Sequence, residues 1–161
     1  MDIFEEYISK NKRNVECRAL TCRSYKRVYQ YEQGEQLSDD RTNSELATYG
    51  DALLSFVLCS IMLDKISPLS KRKQKYETDQ FLIEKVAKHY NLLEYMNFDR
   101  DDDNIIEAYV FYDKTKNGCN NNPAKYIATT VEAVLGALYK YEKYSFDEIC
   151  ELVGSWMELK K

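Results

Sequence analysis

The sequence predicts an all-α protein folded as a single domain, on three observations. Its 161 residues suit one domain with a sizeable core. It contains only five Gly and two Pro, so turns are few. Two long stretches, 43–61 and 126–139, repeat their apolar residues every three or four positions, which is the spacing of one helix face.

In chain order, residues 2–10 read as a short amphipathic helix with Ile3, Phe4, Tyr7 and Ile8 inward, followed by a polar break at Asn11-Lys-Arg-Asn14. Residues 15–30 interleave Val15, Leu20, Tyr25, Val28 and Tyr29 with Arg18, Arg23, Lys26 and Arg27. That pattern fits contact with an RNA backbone and a solvated helix face equally. Gln30 to Thr42 is polar and reads as a loop around Gly34. Asn43 or Ser44 is placed to cap a helix running to about Lys65, and Ser67-Pro68 stops it.

The cluster Lys71-Arg-Lys-Gln-Lys75 follows, so that Lys71, Arg72, Lys73 and Lys75 are candidate RNA-binding residues or a solvated face. Asp79 is placed to cap a helix with the stripe Phe81, Leu82, Val86, Tyr90 and Leu93, on which His89 reads as structural or at the surface. Asp99-Arg-Asp-Asp-Asp-Asn104 lacks the sixth-position Gly and twelfth-position Glu of a calcium loop and reads as a solvated turn or helix start. Ile105, Ile106, Tyr109 and Val110 make a short helix; Asp113 to Pro123 is a loop, with Pro123 suited to a helix start. The last helix starts near Ser145, with Asp147 and Glu148 in its first turn and Phe146, Ile149, Leu152, Val153 and Trp156 inward.

A net charge of −4 disfavours a general nucleic-acid binder but allows a local basic face. Five cysteines without a Cys-x-x-Cys pair, and one histidine, give no zinc pattern and point to a reducing compartment. Cys59 reads as a core thiol, and the fourteen tyrosines as rings at the core edge with wet hydroxyls. The acidic start, Met1-Asp-Ile-Phe-Glu-Glu-Tyr, does not read as a secretory or transit segment, and no stretch was long enough to read as a membrane span. An intracellular, cytoplasmic location is expected.

Two carboxylates stand out. Asp51 lies in the helix whose core stripe is Leu46, Leu53, Leu54, Val57, Leu58 and Ile61, and shares its face with Ser44, Ala47, Thr48 and Ser55. Glu132 lies beside the stripe Val131, Val134, Leu135 and Leu138, among Ala128, Thr129 and Gly136. Taken alone, Asp51 reads as a solvated acid on an amphipathic helix or a satisfied buried acid rather than as a site residue. Gly50 and Gly136 change that reading, because each lets a second backbone approach. A Gly costs about 1 kcal/mol in a helix interior relative to Ala, so a crossing of the two helices is expected here. Crossing would bring the two acids together, and a hard, oxygen-seeking Mg²⁺ would relieve their repulsion.

Leu46-Ala-Thr-Tyr-Gly-Asp-Ala-Leu-Leu54 resembles the signature helix of the ribonuclease III domain. Ile127-Ala-Thr-Thr-Val-Glu-Ala-Val-Leu-Gly-Ala-Leu-Tyr139 is similar to that family's second acidic helix, and Ala19-Leu-Thr-Cys-Arg-Ser-Tyr25 to its early Ala-Leu-Thr-His-Arg-Ser-Tyr element. The three matches come in family order, and the resemblance spans about residues 2–158. It implies one ribonuclease III-type domain of about seven helices over 1–161, without the double-stranded RNA-binding domain of many bacterial relatives. It also implies cleavage of double-stranded or structured precursor RNA, with Asp51 and Glu132 as catalytic acids and ligands of Mg²⁺ or Mn²⁺. A two-fold homodimer through the signature helix follows from the resemblance, with a separate RNA-binding partner and no membrane.

Two of the four family acids are replaced, by Ala47 and Thr129. The Mini-III branch is similar at those points. Cys22 replaces the usual His, and Thr48 the usual interface aromatic. The alternative is a non-catalytic ribonuclease III domain that binds RNA or scaffolds a ribonucleoprotein.

Overall fold

The computed structural model describes residues 1–63, 68–112 and 123–159. The expected helix end at Lys65, Ser67 of the stop signal, residues 113–122 of the predicted loop, Cys119, and Lys160-Lys161 fall outside the described residues.

Among the described residues there are eight α-helices and no strand, in line with the all-α expectation. They are α1 (Ile3–Lys10), α2 (Tyr25–Gln33), α3 (Ser44–Met62), α4 (Leu69–Glu77), α5 (Asp79–Phe81), α6 (Asp103–Val110), α7 (Lys125–Lys140) and α8 (Phe146–Met157). α5 continues as a π-helical segment, Leu82–Ala87. That wide turn brings Leu82, Ile83, Val86 and Ala87 all into the core.

The crossing of α3 over α7 organises the molecule. A Cβ built on Gly50 would lie 1.8 Å from the Glu132 carbonyl oxygen, and one on Gly136 would lie 3.0 Å from the Leu46 carbonyl oxygen. Only glycines allow this approach, which explains two poor helix formers in two long helices. Leu46, Leu53, Leu54, Val57 and Leu58 are buried from α3, and Val131, Val134, Leu135 and Leu138 from α7. Ile61, the last member of the predicted stripe, is half-buried.

α1, α8 and the turn that follows the π-helical segment pack together. Phe4 stacks on Tyr90 with centroids 4.4 Å apart, and Trp156 meets Phe4 edge-on at 5.5 Å. The Trp156 indole N–H donates to the Tyr90 hydroxyl (2.8 Å), which donates to Asp2 (2.6 Å), while Asp2 also accepts from the Glu5 N–H at the start of α1. One polar relay therefore ties the beginning, middle and end of the chain inside an apolar shell, where unpaired hydroxyls are costly. α8 starts where expected, after Ser145, and Ser145 and Glu148 exchange hydrogen bonds there as a capping box.

Several expectations need correction. α2 runs to Gln33, beyond the loop start predicted at Gln30, and ends where Gly34 adopts a left-handed φ of 71°. Neither predicted cap acts as one: Asn43 makes no cap bond on α3, and Thr78, not Asp79, accepts from the Phe81 N–H at the start of α5. Asp99 is not solvated: it is 6 % exposed and accepts from Arg27 (3.0 Å), while Asp102 caps α6. α7 begins at Lys125, two residues after Pro123. Cys59 is half-buried rather than in the core. The tyrosine hydroxyls are not uniformly wet either, since that of Tyr90 is held in the relay and that of Tyr7 bonds the buried Cys17 thiol. The nineteen-residue α3 is, against expectation, long and apolar enough to match a membrane span by length and composition, although the Leu and Val residues that make it apolar are all buried in its packed face. Here its buried stripe packs on α7.

Candidate active site at the crossing of two helices

Asp51 sits on α3 and Glu132 on α7, each immediately beside the glycine contact. Both open into a cleft of about 760 Å³, whose walls also carry Ala47, Thr48, Thr129 and Arg23. Asp51 is exposed and Glu132 half-buried, and their side chains share a hydrogen bond. The Glu132 carboxyl is pushed up to about 9. Burial is the main cause, followed by the hydrogen bond with Asp51 and the charges of Asp51 and then Asp79, with Lys125 pulling the other way. A divalent cation bound between the two carboxyls would oppose the burial and like charge that push Glu132 up.

Residues 44–142 match the Ribonuclease III domain family. The chain belongs to the ribonuclease III domain family. Members are endoribonuclease hydrolases, generally dependent on a divalent metal, that bind double-stranded RNA and dimerise. Two solved structures of the nuclease domain of ribonuclease III from Campylobacter jejuni share this fold, each with a TM-score of 0.61 at 18 % identity. Each alignment covers 96 % of this chain, and 94 % and 91 % of the Campylobacter chains. One of those structures concerns flexibility in a region involved in dimer formation of that protein. No curated protein matches this chain by sequence.

The donor chemistry of this ribonuclease III domain fits a hard divalent ion, since two carboxylates converge on an open cleft. Among the described residues, no three Asp, Glu, His or Cys side chains are close enough to hold one ion directly. Ala47 and Thr129 line the cleft where the family pattern has acids, so the reduced donor set is a property of the folded site.

The basic cluster divides. Lys71, Arg72 and Lys75 on α4 are exposed. Lys73 turns inward, donating to the Ser55 hydroxyl (2.8 Å) on α3 and to Glu77 (3.1 Å). Glu77 lines the cleft, so α4 borders the site. The tyrosine-rich basic segment divides as well. Arg18 donates to the Thr42 carbonyl (3.1 Å), Lys26 pairs with Asp39 and Arg27 with Asp99, while Arg23 reaches the cleft.

Asp79, Lys125 and Asn43 are among the cleft residues outside the sequence reading of the site. Asp79 is distant in sequence from both paired acids, and Lys125, at the start of the helix that carries Glu132, has no local mark of a site residue. Asn43 was read only as a cap. Its amide N–H₂ donates to the Ala19 carbonyl and to Thr130 Oγ1, each at 3.0 Å. Thr130 gives its own proton to the Tyr126 carbonyl, which fixes the orientation of the Asn43 amide and leaves its Oδ1 buried without a partner. Asn43 thus links the start of α3 to the turn of α7 that carries Glu132.

Proposed function

We propose that this chain is a metal-dependent endoribonuclease that hydrolyses phosphodiester bonds of double-stranded or structured precursor RNA, with Asp51 and Glu132 as its catalytic acids and metal ligands. The observation that carries this reading is the convergence of those two carboxylates, one exposed and one half-buried, on an open cleft. Bound Mg²⁺ or Mn²⁺ supplies Lewis acidity towards a phosphoryl oxygen and acidifies a water.

The protein's own contribution is placement. The glycine crossing fixes the two backbones, burial raises the affinity of Glu132 for positive charge, and Asp51 presents the accessible oxygens. Lys71, Arg72 and Lys75, exposed beside the cleft, are suited to phosphates flanking the cut, and such contacts position a duplex by shape rather than sequence. With a net charge of −4, further RNA affinity is assigned to a separate RNA-binding partner.

The acid set, with Ala47 and Thr129 in place of two carboxylates, supports a Mini-III-like site within a single domain over 1–161. A homodimer is part of the same reading. Tyr49, Phe56 and Leu63 recur every seven residues along α3 and are 40 %, 62 % and 66 % exposed, an open apolar stripe on the helix beside the site. Cys17, Cys22, Cys59 and Cys150 are all free thiols, which supports a reducing, cytoplasmic setting. The test is cleavage of duplex RNA in Mg²⁺ by the wild type beside Asp51→Asn: loss of cleavage in the variant supports the reading, and equal cleavage removes Asp51 from the site.

A further inference from the structure

The two-acid site leaves one carboxylate unexplained. Asp79 opens α5 and lines the same cleft as Asp51 and Glu132. It is half-buried, and among the described residues its side chain has no hydrogen-bond or ion-pair partner. Burial raises its carboxyl above the usual range, Lys125 opposes that shift, and Asp51 adds to it. Burying an unpaired carboxylate is costly, and among the described residues the fold gains no hydrogen bond or ion pair from this one. Thr78 supplies the helix cap, so capping does not explain Asp79 either.

The cleft shows what this acid can do. Ala47 and Thr129 remove two carboxylates from its walls, and Asp79 adds one from a third helix, outside both acidic motifs. Glu132 senses the charges of both Asp51 and Asp79. Since no three acids are close enough to share an ion directly among the described residues, Asp79 can reach one only through water. That suits Mg²⁺, which keeps several of its waters, and carboxylates accepting hydrogen bonds from such waters tune affinity.

We infer that Asp79 is the third acid of this site: a positioning residue that holds the hydration shell of the ion bound by Asp51 and Glu132, and restores negative charge missing at Ala47 and Thr129. The inference rests on the metal-dependent reading above.

The test is Mn²⁺ binding to the full chain without RNA, followed by electron paramagnetic resonance of the free ion and by titration calorimetry. Asp79→Asn is expected to weaken Mn²⁺ binding by about 10–100-fold. Asp79→Glu recovers part of that affinity, and Asp51→Asn abolishes binding. Circular dichroism of metal-free Asp79→Asn should match the wild type, since the side chain holds no other group. Wild-type affinity in Asp79→Asn overturns the inference while leaving the two-acid site in place. Failure of the wild-type chain to bind Mn²⁺ overturns both. Loss of affinity in Asp79→Asn without recovery in Asp79→Glu also overturns it, because a carboxylate acting through water tolerates one added methylene better than a neutral amide.

Discussion

Glu132 is where burial and chemistry meet. Its carboxyl keeps a proton well above the usual carboxylate range because it is desolvated beside Asp51. The folded protein therefore binds more protons here than the unfolded chain does between the unfolded value of 4.5 and the folded value of about 9. The stability this group contributes is fully present below about pH 4.5 and is lost as pH rises through about 9. In metal-free protein, the melting temperature of the wild type should fall with pH across that window more steeply than that of Glu132→Gln, which has no proton to lose. Parallel melting profiles from calorimetry would contradict this environment for Glu132. The two paired acids were legible in the sequence because each interrupts an apolar stripe next to a glycine. Asp79 was not, since it belongs to a third helix and only the tertiary fold brings it to the cleft; Lys125 opens the helix that carries Glu132, but no pattern ties it to the acid seven residues on. Asn43 was misread because a polar residue before a helix has two uses, capping and bridging, and the choice depends on Thr130, 87 positions away.

At the scale of elements, the α3–α7 crossing carries the account. With the Glu132 carbonyl oxygen 1.8 Å from where a Cβ would stand, Gly50→Ala cannot be accommodated without separating the helices. The variant should lose at least about 3 kcal/mol in urea unfolding, although Ala is the better helix former. Gly154→Ala on α8, where a Cβ meets nothing within 4 Å, should cost nothing and is the internal control. Equal stability of Gly50→Ala and the wild type would refute the crossing. Helix interiors were legible throughout because periodicity reports burial, and the start of α8 near Ser145 was legible, though its capping box with Glu148 was not read. Boundaries were less so. α2 outlasts its polar composition because Tyr29 is buried and Gly34 supplies a left-handed stop. The π-helical turn after α5 has no sequence signal at all; it comes from packing two adjacent pairs, Leu82-Ile83 and Val86-Ala87, into one core.

For the whole molecule, the fold and family are settled, while substrate, metal and assembly form the proposal. The seven-residue stripe of Tyr49, Phe56 and Leu63 predicts that the chain sediments as a dimer, and that Phe56→Glu sediments as a monomer while keeping its helical content. A wild-type monomer in analytical ultracentrifugation would contradict the assembly. The acidic overall charge was legible from composition, but the division of the basic residues was not. Lys73, Lys26 and Arg27 are spent on internal partners, whereas Lys71, Arg72 and Lys75 stay open, and adjacent lysines look alike until the fold assigns their neighbours. The central claim is that Asp51 and Glu132 are the catalytic acids of a metal-dependent nuclease site. Its most direct test is cleavage of a long, perfect RNA duplex in Mg²⁺ by the wild type and by Glu132→Gln, each with and without chelator. The account predicts wild-type cleavage that chelator abolishes, and a loss of at least about 100-fold in Glu132→Gln, on the scale of removing a charge-stabilising group from an active site. No cleavage by the wild type, or equal cleavage by the two proteins, would contradict it.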